Sequence, residues 1–224
     1  NFTILYRFTR NGYPDTYFKT NNNDWYTIKT NSTPLTSYIH DIKHDDINNF
    51  YVLGGHEIDS NDTYATVWKL LHDGNVEKYR LTLHPTTRST AIKIIIPTTI
   101  PDVPDDVYVL VQNNYTNSSF DVYRLDLVTG NGITTYGQTT DLSTQLQQSM
   151  TDVKVTDMTV DQYGDMYLCG YGTTLNDTSN NKTSYWITKI LLQNYQIDPS
   201  FNIQIYYTSP NLVTGIQDSL EKVY

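Results

Sequence analysis

Five histidines, one cysteine and 24 acidic residues carry most of this chain's capacity to bind metal, attack a carbonyl or move a proton. His40 and His44 are four residues apart, a spacing that on a helix would point two zinc ligands the same way. Their neighbours read as strand and turn, however, where the pair share one strand face at best and serve a surface role. His56, His72 and His84 add no metal-protease spacing. Asp45-Asp46 and Asp102/Asp105/Asp106 fall in expected turns, where hard oxygen ligands could gather calcium, and Asp161 to Asp165 reads first as a hairpin turn. No EF-hand or nonapeptide pattern is complete, and aspartates in turns commonly bond their own backbone. Nucleophile elbow, phosphate loop and dinucleotide fingerprint are absent from the sequence. Cys169 lies inside an expected strand and reads as a small hydrophobe rather than a nucleophile. No cofactor is implied.

Asparagine offers a different chemistry. Seven Asn-x-Ser/Thr triplets begin at Asn1, Asn31, Asn61, Asn114, Asn117, Asn176 and Asn181. Such triplets are acceptors for N-glycosylation when a solvated loop presents them. Polar loops rich in Asn, Ser and Thr would also collect triplets by composition alone. Aromatic residues are the other candidates for contact: Trp25, Tyr26, Trp68, Tyr115, Tyr171, Tyr185, Trp186, Tyr206 and Tyr207 could stack on sugars. Trp68 and Trp186 recur at similar places before a basic residue, which favours packing. Trp25 and Tyr26 follow an asparagine run and are the ligand contacts to test first, although packing suits them as well.

The elements that must position these groups come from a repeat. Tyr51-Val52-Leu53-Gly54 returns as Tyr108-Val109-Leu110-Val111 and as Tyr167-Leu168-Cys169-Gly170, and Val223-Tyr224 resembles the start of another copy. The tyrosines are 57, 59 and 57 residues apart. A basic residue among apolar ones recurs in Tyr6-Arg7-Phe8, Trp68-Lys69-Leu70, Tyr123-Arg124-Leu125 and Thr188-Lys189-Ile190. Turn-forming groups follow: Asn11-Gly12, Asp73-Gly74, Thr129-Gly130-Asn131-Gly132 and Gln193-Asn194. Asx-Gly pairs between apolar runs signal hairpins because both residues tolerate positive φ.

Each unit therefore reads as four short antiparallel strands, A to D, rich in Tyr, Val, Ile and Thr. In the first complete unit these are about 37–43, 50–56, 65–71 and 76–83. Helical periodicity is missing except for a turn or two within 142–150. A four-stranded unit repeating at this length predicts an all-β protein, a β-propeller or propeller arc with a period of about 57 residues. The chain then forms one domain or part of one: a half unit 1–20, units at about 37–84, 90–138 and 151–205, and a half unit 213–224. The two half units could close a four-bladed ring, or the chain could be a stretch of a longer propeller.

The run from Val155 to Tyr171, with Asp161, Gly164, Tyr167 and Gly170 at the key places, resembles the inner hairpin of bacterial-type β-propeller repeats. Thr188-Lys189-Ile190 through Asp198-Pro199-Ser200-Phe201, and Tyr6-Arg7-Phe8 through Asp15-Thr16-Tyr17-Phe18, resemble the outer half of the delta-60 class. The likeness spans most of the chain but is degenerate. In the second unit Pro101, Pro104 and Asp105 stand where the hairpin glycine is expected. The resemblance implies a blade scaffold and brings no catalytic residues with it.

In such a blade the B–C and D–A loops emerge on one face, and all seven triplets map there. Net charge is −9, which opposes nucleic-acid binding because phosphate contacts require clustered Lys and Arg. No apolar run approaches the roughly 20 residues that span a bilayer. The sequence thus leads to a non-enzymatic structural or interaction module, extracellular or on a cell or particle surface, N-glycosylated, with protein partners or self-assembly. The alternative is a carbohydrate-binding or hydrolytic propeller whose carboxylates gather at a central channel.

Overall fold

A computed structural model describes residues 3–15, 26–28, 37–45, 50–59, 62–70, 77–82, 89–97, 107–113, 119–125, 134–135, 137–175, 183–191, 196–201 and 204–207. It is all-β with one helix among the described residues. The chain divides into two units, Asn1–Ile94 and Ile95–Tyr224.

The first unit opens with β1 (Thr3–Leu5), paired antiparallel with β2 (Tyr26–Ile28). Between them Phe8 bridges to Pro14, and a turn through Gly12, whose φ is +80°, reverses the chain. A four-stranded sheet follows in the order β3 (Ser37–His44), β4 (Phe50–Asp59), β5 (Asp62–Leu70) and β6 (Glu77–Thr82). These are the four strands that alternation and turn chemistry place there. Tyr51, Leu53, Val67 and Trp68 are fully buried in it. β7 (Ser89–Ile95) carries two side-chain links within this unit. The Ala65 N–H donates to Ser89 Oγ (2.9 Å), and the Ile94 N–H donates to Asp41 Oδ2 (3.4 Å).

In the second unit β8 (Val107–Asn113), β9 (Ser119–Leu125) and β10 (Thr134–Thr135) pair in sequence, and β7, the strand in which the division falls, completes that sheet's order. Then come α1 (Gly137–Gln147), β11 (Met150–Val160), β12 (Asp165–Thr174), β13 (Thr183–Leu191), β14 (Gln196–Ile197) and β15 (Gln204–Tyr207). β13 pairs with β12 along one edge and with both β14 and β15 along the other. Strand D of this last sheet is therefore two short pieces.

The helix is longer than the turn or two expected within 142–150 and begins at Gly137, where the second repeat unit was expected to end. Leu142 and Leu146 are four apart and both buried, so one helix face meets the core where strand alternation is absent. Ser143, between them, accepts the Phe120 N–H (3.5 Å). Phe120 stands in β9 where Ala65 stands in β5, so Ser143 from a helix does what Ser89 does from a strand. Two i→i−3 bonds, from the N–H groups of Gln148 and Ser149, close the helix. A β-bulge follows, with Asp152 at φ +51° between the pairs Thr151↔Thr173 and Lys154↔Tyr171.

The two sheets of the second unit stack face to face. The rings of Phe120 and Trp186 lie 5.5 Å apart at 13°. Beside them Gln112, directly opposite Phe120 in the β8–β9 register, accepts the Val155 N–H on Oε1 (3.0 Å). One face of the β8–β9 pair, with Tyr108, Leu110, Gln112, Phe120 and Val122, thus covers the face of the last sheet that carries Gly170 and Trp186. Trp68 and Trp186 are both core residues but not equivalent positions. Trp68 opposes Val52 and immediately precedes Lys69, whereas Trp186 opposes Gly170 and lies three residues before Lys189. Each still reaches the glycine at the same repeat position, Gly54 or Gly170, where an added Cβ would run into the indole.

Candidate functional site

Among the described residues, a cluster of polar side chains is built on the turn between the first two strands of the last sheet. Asp161 Oδ1 accepts the N–H groups of Tyr163 (2.9 Å) and Asp165 (3.0 Å), and its Oδ2 accepts the Tyr167 hydroxyl (3.2 Å). Gly164, at φ +85°, supplies the left-handed residue that this tight reversal needs. Tyr167 lies opposite Lys189 in the ladder, with the ammonium 5.7 Å from the ring centroid. Lys189 Nζ is 2.6 Å from Asp165 Oδ2 and 3.4 Å from Asp198 Oδ2.

The electrostatics follow from these pairings. The Asp165 carboxylate holds the Lys189 ammonium above the usual lysine range. Hydrogen bonds from Ser200, through its hydroxyl and its N–H, hold Asp198 below the usual carboxylate value. Burial pushes the Tyr167 phenol up. Lys189 keeps its proton and Tyr167 keeps its own at neutral pH, so neither is poised as a base.

The same constellation stands in the first unit. Tyr51 donates to Asp45 Oδ2 (3.2 Å), lies opposite Lys69, and has the Lys69 ammonium 4.9 Å from its ring centroid. Asp45, Tyr51 and Lys69 therefore repeat Asp161, Tyr167 and Lys189. The outer half repeats as well. The Asp198 N–H donates to the Lys189 carbonyl (2.9 Å) as the Asp15 N–H does to the Arg7 carbonyl (2.9 Å), and Arg7 Nε donates to Asp15 Oδ2 (2.7 Å). The sequence marked each residue type, but the tyrosine–carboxylate bond and the lysine over the ring require the fold. The common spacing of six residues, Asp45 to Tyr51 and Asp161 to Tyr167, was the available signal.

A second recurring device lies in the first strand of two sheets. β3 and β11 each carry a bulge, before Asp41 and before Asp157, and each aspartate accepts the N–H of the next residue (2.9 and 3.0 Å). His40 occupies the bulge of β3 and is exposed, as is His44, whose Nδ1 lies 3.1 Å from the Asp45 carbonyl. Among the described residues, no group of three or more His, Cys, Asp or Glu comes close enough to hold a metal ion. Cys169 is buried, with Sγ 3.6 Å from Thr156 Oγ1, and burial pushes its thiol up to about 11. A thiol so placed is protonated at neutral pH and unreactive.

Asn1, Asn31, Asn61, Asn114, Asn117, Asn176 and Asn181 lie outside the described residues, as do Trp25, Tyr115, Asp102, Asp105 and Asp106. Tyr26 belongs to β2, and its side chain is outside the description. The flanking strands place five of the triplets in the chain nevertheless. Asn61 falls between β4 and β5, Asn114 and Asn117 between β8 and β9, and Asn176 and Asn181 between β12 and β13. The hydroxyl residue of one triplet in each gap, Thr63, Ser119 or Thr183, is already in the following strand.

No family model matches the chain, and no curated protein matches it. Among solved structures, the crystal structure of polysaccharide lyase Uly1 is similar with a TM-score of 0.44 and 15% identity, over 78% of this chain and 40% of that one. The chain thus spans less than half of that structure's length. A likeness at that level carries no argument about activity. Among the described residues, no helix is long and apolar enough to cross a membrane.

Proposed function

We propose that this chain is a non-enzymatic structural or interaction module, a β-propeller or propeller arc of an extracellular, cell-surface or particle-surface protein, N-glycosylated in its loops. The observation that carries the reading is the recurrence of Asp45–Tyr51–Lys69 as Asp161–Tyr167–Lys189. A catalytic set is needed once, whereas a group present at equivalent places in two of the repeat units, the first and the third, serves the scaffold that the units share. Its members are also committed locally, since Asp161 uses both carboxylate oxygens on its own turn and on Tyr167. The repeat period and the antiparallel four-stranded order support the propeller assignment, because blades are built that way.

Loop triplets between the second and third strands support glycosylation, since a bulky solvated modification must avoid strand interiors. The test is the intact mass of the natural protein before and after enzymatic removal of N-glycans, with peptide mapping of the seven asparagines. Mass loss at the loop sites is expected, and unmodified asparagines would remove the secretory setting. A panel of polysaccharides in a thermal melt tests the non-enzymatic half. No shift and no cleavage are expected, while a raised melting temperature would mean a carbohydrate site.

A further inference from the structure

We infer that the turn at Asn11-Gly12 is a site of spontaneous covalent modification, in which the Gly12 nitrogen attacks the Asn11 side chain, ammonia is lost and aspartate or isoaspartate results. The change needs only the chain's own atoms and water, so it is independent of the scaffold reading. In any asparagine the nitrogen of the next residue can reach the side-chain carbonyl carbon and close an imide ring. Bulk on the next residue, bonds that hold the amide, and a backbone that cannot swing all oppose it.

At Asn11 each of these obstacles is small. The next residue is glycine, and a Cβ built on it would meet nothing within 4 Å. The hydrogen bonds of the turn run between Thr9, Gly12 and Tyr13, and the Asn11 side-chain amide takes part in none of them. Residues 8–14 are all exposed. The pairing below the turn is the lone bridge Phe8↔Pro14, where proline has no N–H to donate. The one opposing contact is the Gly12 N–H on the Thr9 carbonyl (2.9 Å), which must open before the nitrogen can give up its proton. A single exposed turn bond opens readily, because water takes the place of the lost partner. Asn113 shows the opposite setting: it is half-buried, its Nδ2 donates to Asp121 Oδ2 (2.8 Å), and asparagine rather than glycine follows it. Asn131-Gly132, the other such pair in the sequence, lies outside the described residues.

The Gly12 nitrogen loses its proton and bonds to Asn11 Cγ, the Cγ–Nδ2 bond breaks, and the amide nitrogen leaves as ammonia with that proton. Water then opens the imide. Breaking the new Cγ–N bond leaves aspartate, whereas breaking the original peptide C–N bond leaves isoaspartate, with the main chain running through Cβ and Cγ. The isoaspartyl product adds a carbon to the main chain inside the span that the Thr9 N–H closes on the Tyr13 carbonyl (2.8 Å). Lengthening that span loosens the reversal that brings Arg7 Nε to Asp15 Oδ2 (2.7 Å) and the Asp15 N–H to the Arg7 carbonyl (2.9 Å).

The test is to age the folded full chain at mildly alkaline pH and physiological temperature, then map it by peptic digestion in acid, where imide formation is suppressed. The Asn11 peptide is expected to gain the mass of OH in place of NH2 and to split into two products, one of which accepts a methyl group from an isoaspartyl methyltransferase. Asn113 is expected to stay unchanged over the same period. Gly12→Ala should slow the conversion, since its methyl group shields the attacking nitrogen. Asn11→Gln keeps the amide on a longer side chain and should show no mass gain at position 11; circular dichroism checks that both variants are folded. Hydrogen exchange at the Thr9 and Asp15 amides should quicken in the isoaspartyl product. An Asn11 that stays intact in the folded chain, or converts only in urea, would overturn the inference by showing that the Gly12–Thr9 bond protects it. A Gly12→Ala variant that converts at the wild-type rate would overturn the route through the Gly12 nitrogen.

Discussion

Phe120 and Trp186 stack nearly parallel, 5.5 Å between ring centroids at 13°, across the boundary between two sheets of the second unit. They come from the third strand of successive repeats, so the contact joins units that are not hydrogen-bonded to each other in their ladders. Removing a fully buried aromatic ring costs about 3–5 kcal/mol through lost burial and the cavity left behind. Trp186→Ala and Phe120→Ala are each expected to lower stability by that order, measured by urea unfolding. The double variant should lose about 0.5–1.5 kcal/mol less than the two singles added, the coupling of an aromatic pair. Strict additivity would mean that the two rings do not act as a pair.

Gly170 and Gly12 should respond oppositely to what their backbone angles suggest. Gly12 has φ +80° and open space around it, so Gly12→Ala meets only the left-handed penalty of about 1–2 kcal/mol. Gly170 has ordinary strand angles, but an added Cβ would overlap the Lys154 carbonyl and press on Trp186. Gly170→Ala is expected to be the more destabilising by thermal melting, because neither the backbone nor the packed indole can retreat cheaply. Equal melting temperatures for the two variants would show that the bulged strand β11 yields.

Stability should decline at both ends of the pH scale for separable reasons. The Cys169 thiol titrates near 11 when folded, above its unfolded value of about 8.5. The unfolded chain loses that proton first, so stability falls as pH rises from the unfolded value until the folded thiol titrates. Lys189 and Tyr167 are also raised and add to the fall from about pH 10 upward. Asp198 is lowered, so its contribution is present above about pH 4 and is lost as pH falls through its folded value. Urea midpoints of Cys169→Ala against pH are expected to flatten between about pH 9 and 11, and those of Asp198→Asn to flatten on the acid side. Unchanged limbs in these variants would assign the pH dependence to other groups.

Much of the strand order was legible before any coordinates. Strand alternation, the tyrosines of Tyr51, Tyr108 and Tyr167 and the basic residues of Lys69, Arg124 and Lys189 are local patterns, and a local pattern selects a strand and a register. The spacing of Leu142 and Leu146 is equally local, and it marks a turn or two of helix within 142–150, but the start of the helix at Gly137 depends on the core that its buried face meets. The offset of Trp68 against Trp186 was already in the sequence, since Trp68 adjoins Lys69 while Ile187 and Thr188 separate Trp186 from Lys189, and the ladder shows that it puts them opposite Val52 and Gly170.

By itself the sequence determined that this is a repeating all-β chain whose turns carry aspartate, asparagine and glycine, because backbone preference and side-chain alternation act over a few residues. Tertiary structure alone decided what those residues do. Asp161 reaches Tyr167, Gln112 caps the Val155 N–H, and Tyr6, Phe8 and Tyr171 stand exposed where their counterparts are core. The Tyr167–Asp161 bond closes within one hairpin, but the other outcomes depend on which sheet lies against which face, and so on contact between segments distant in sequence, such as Gln112 and Val155.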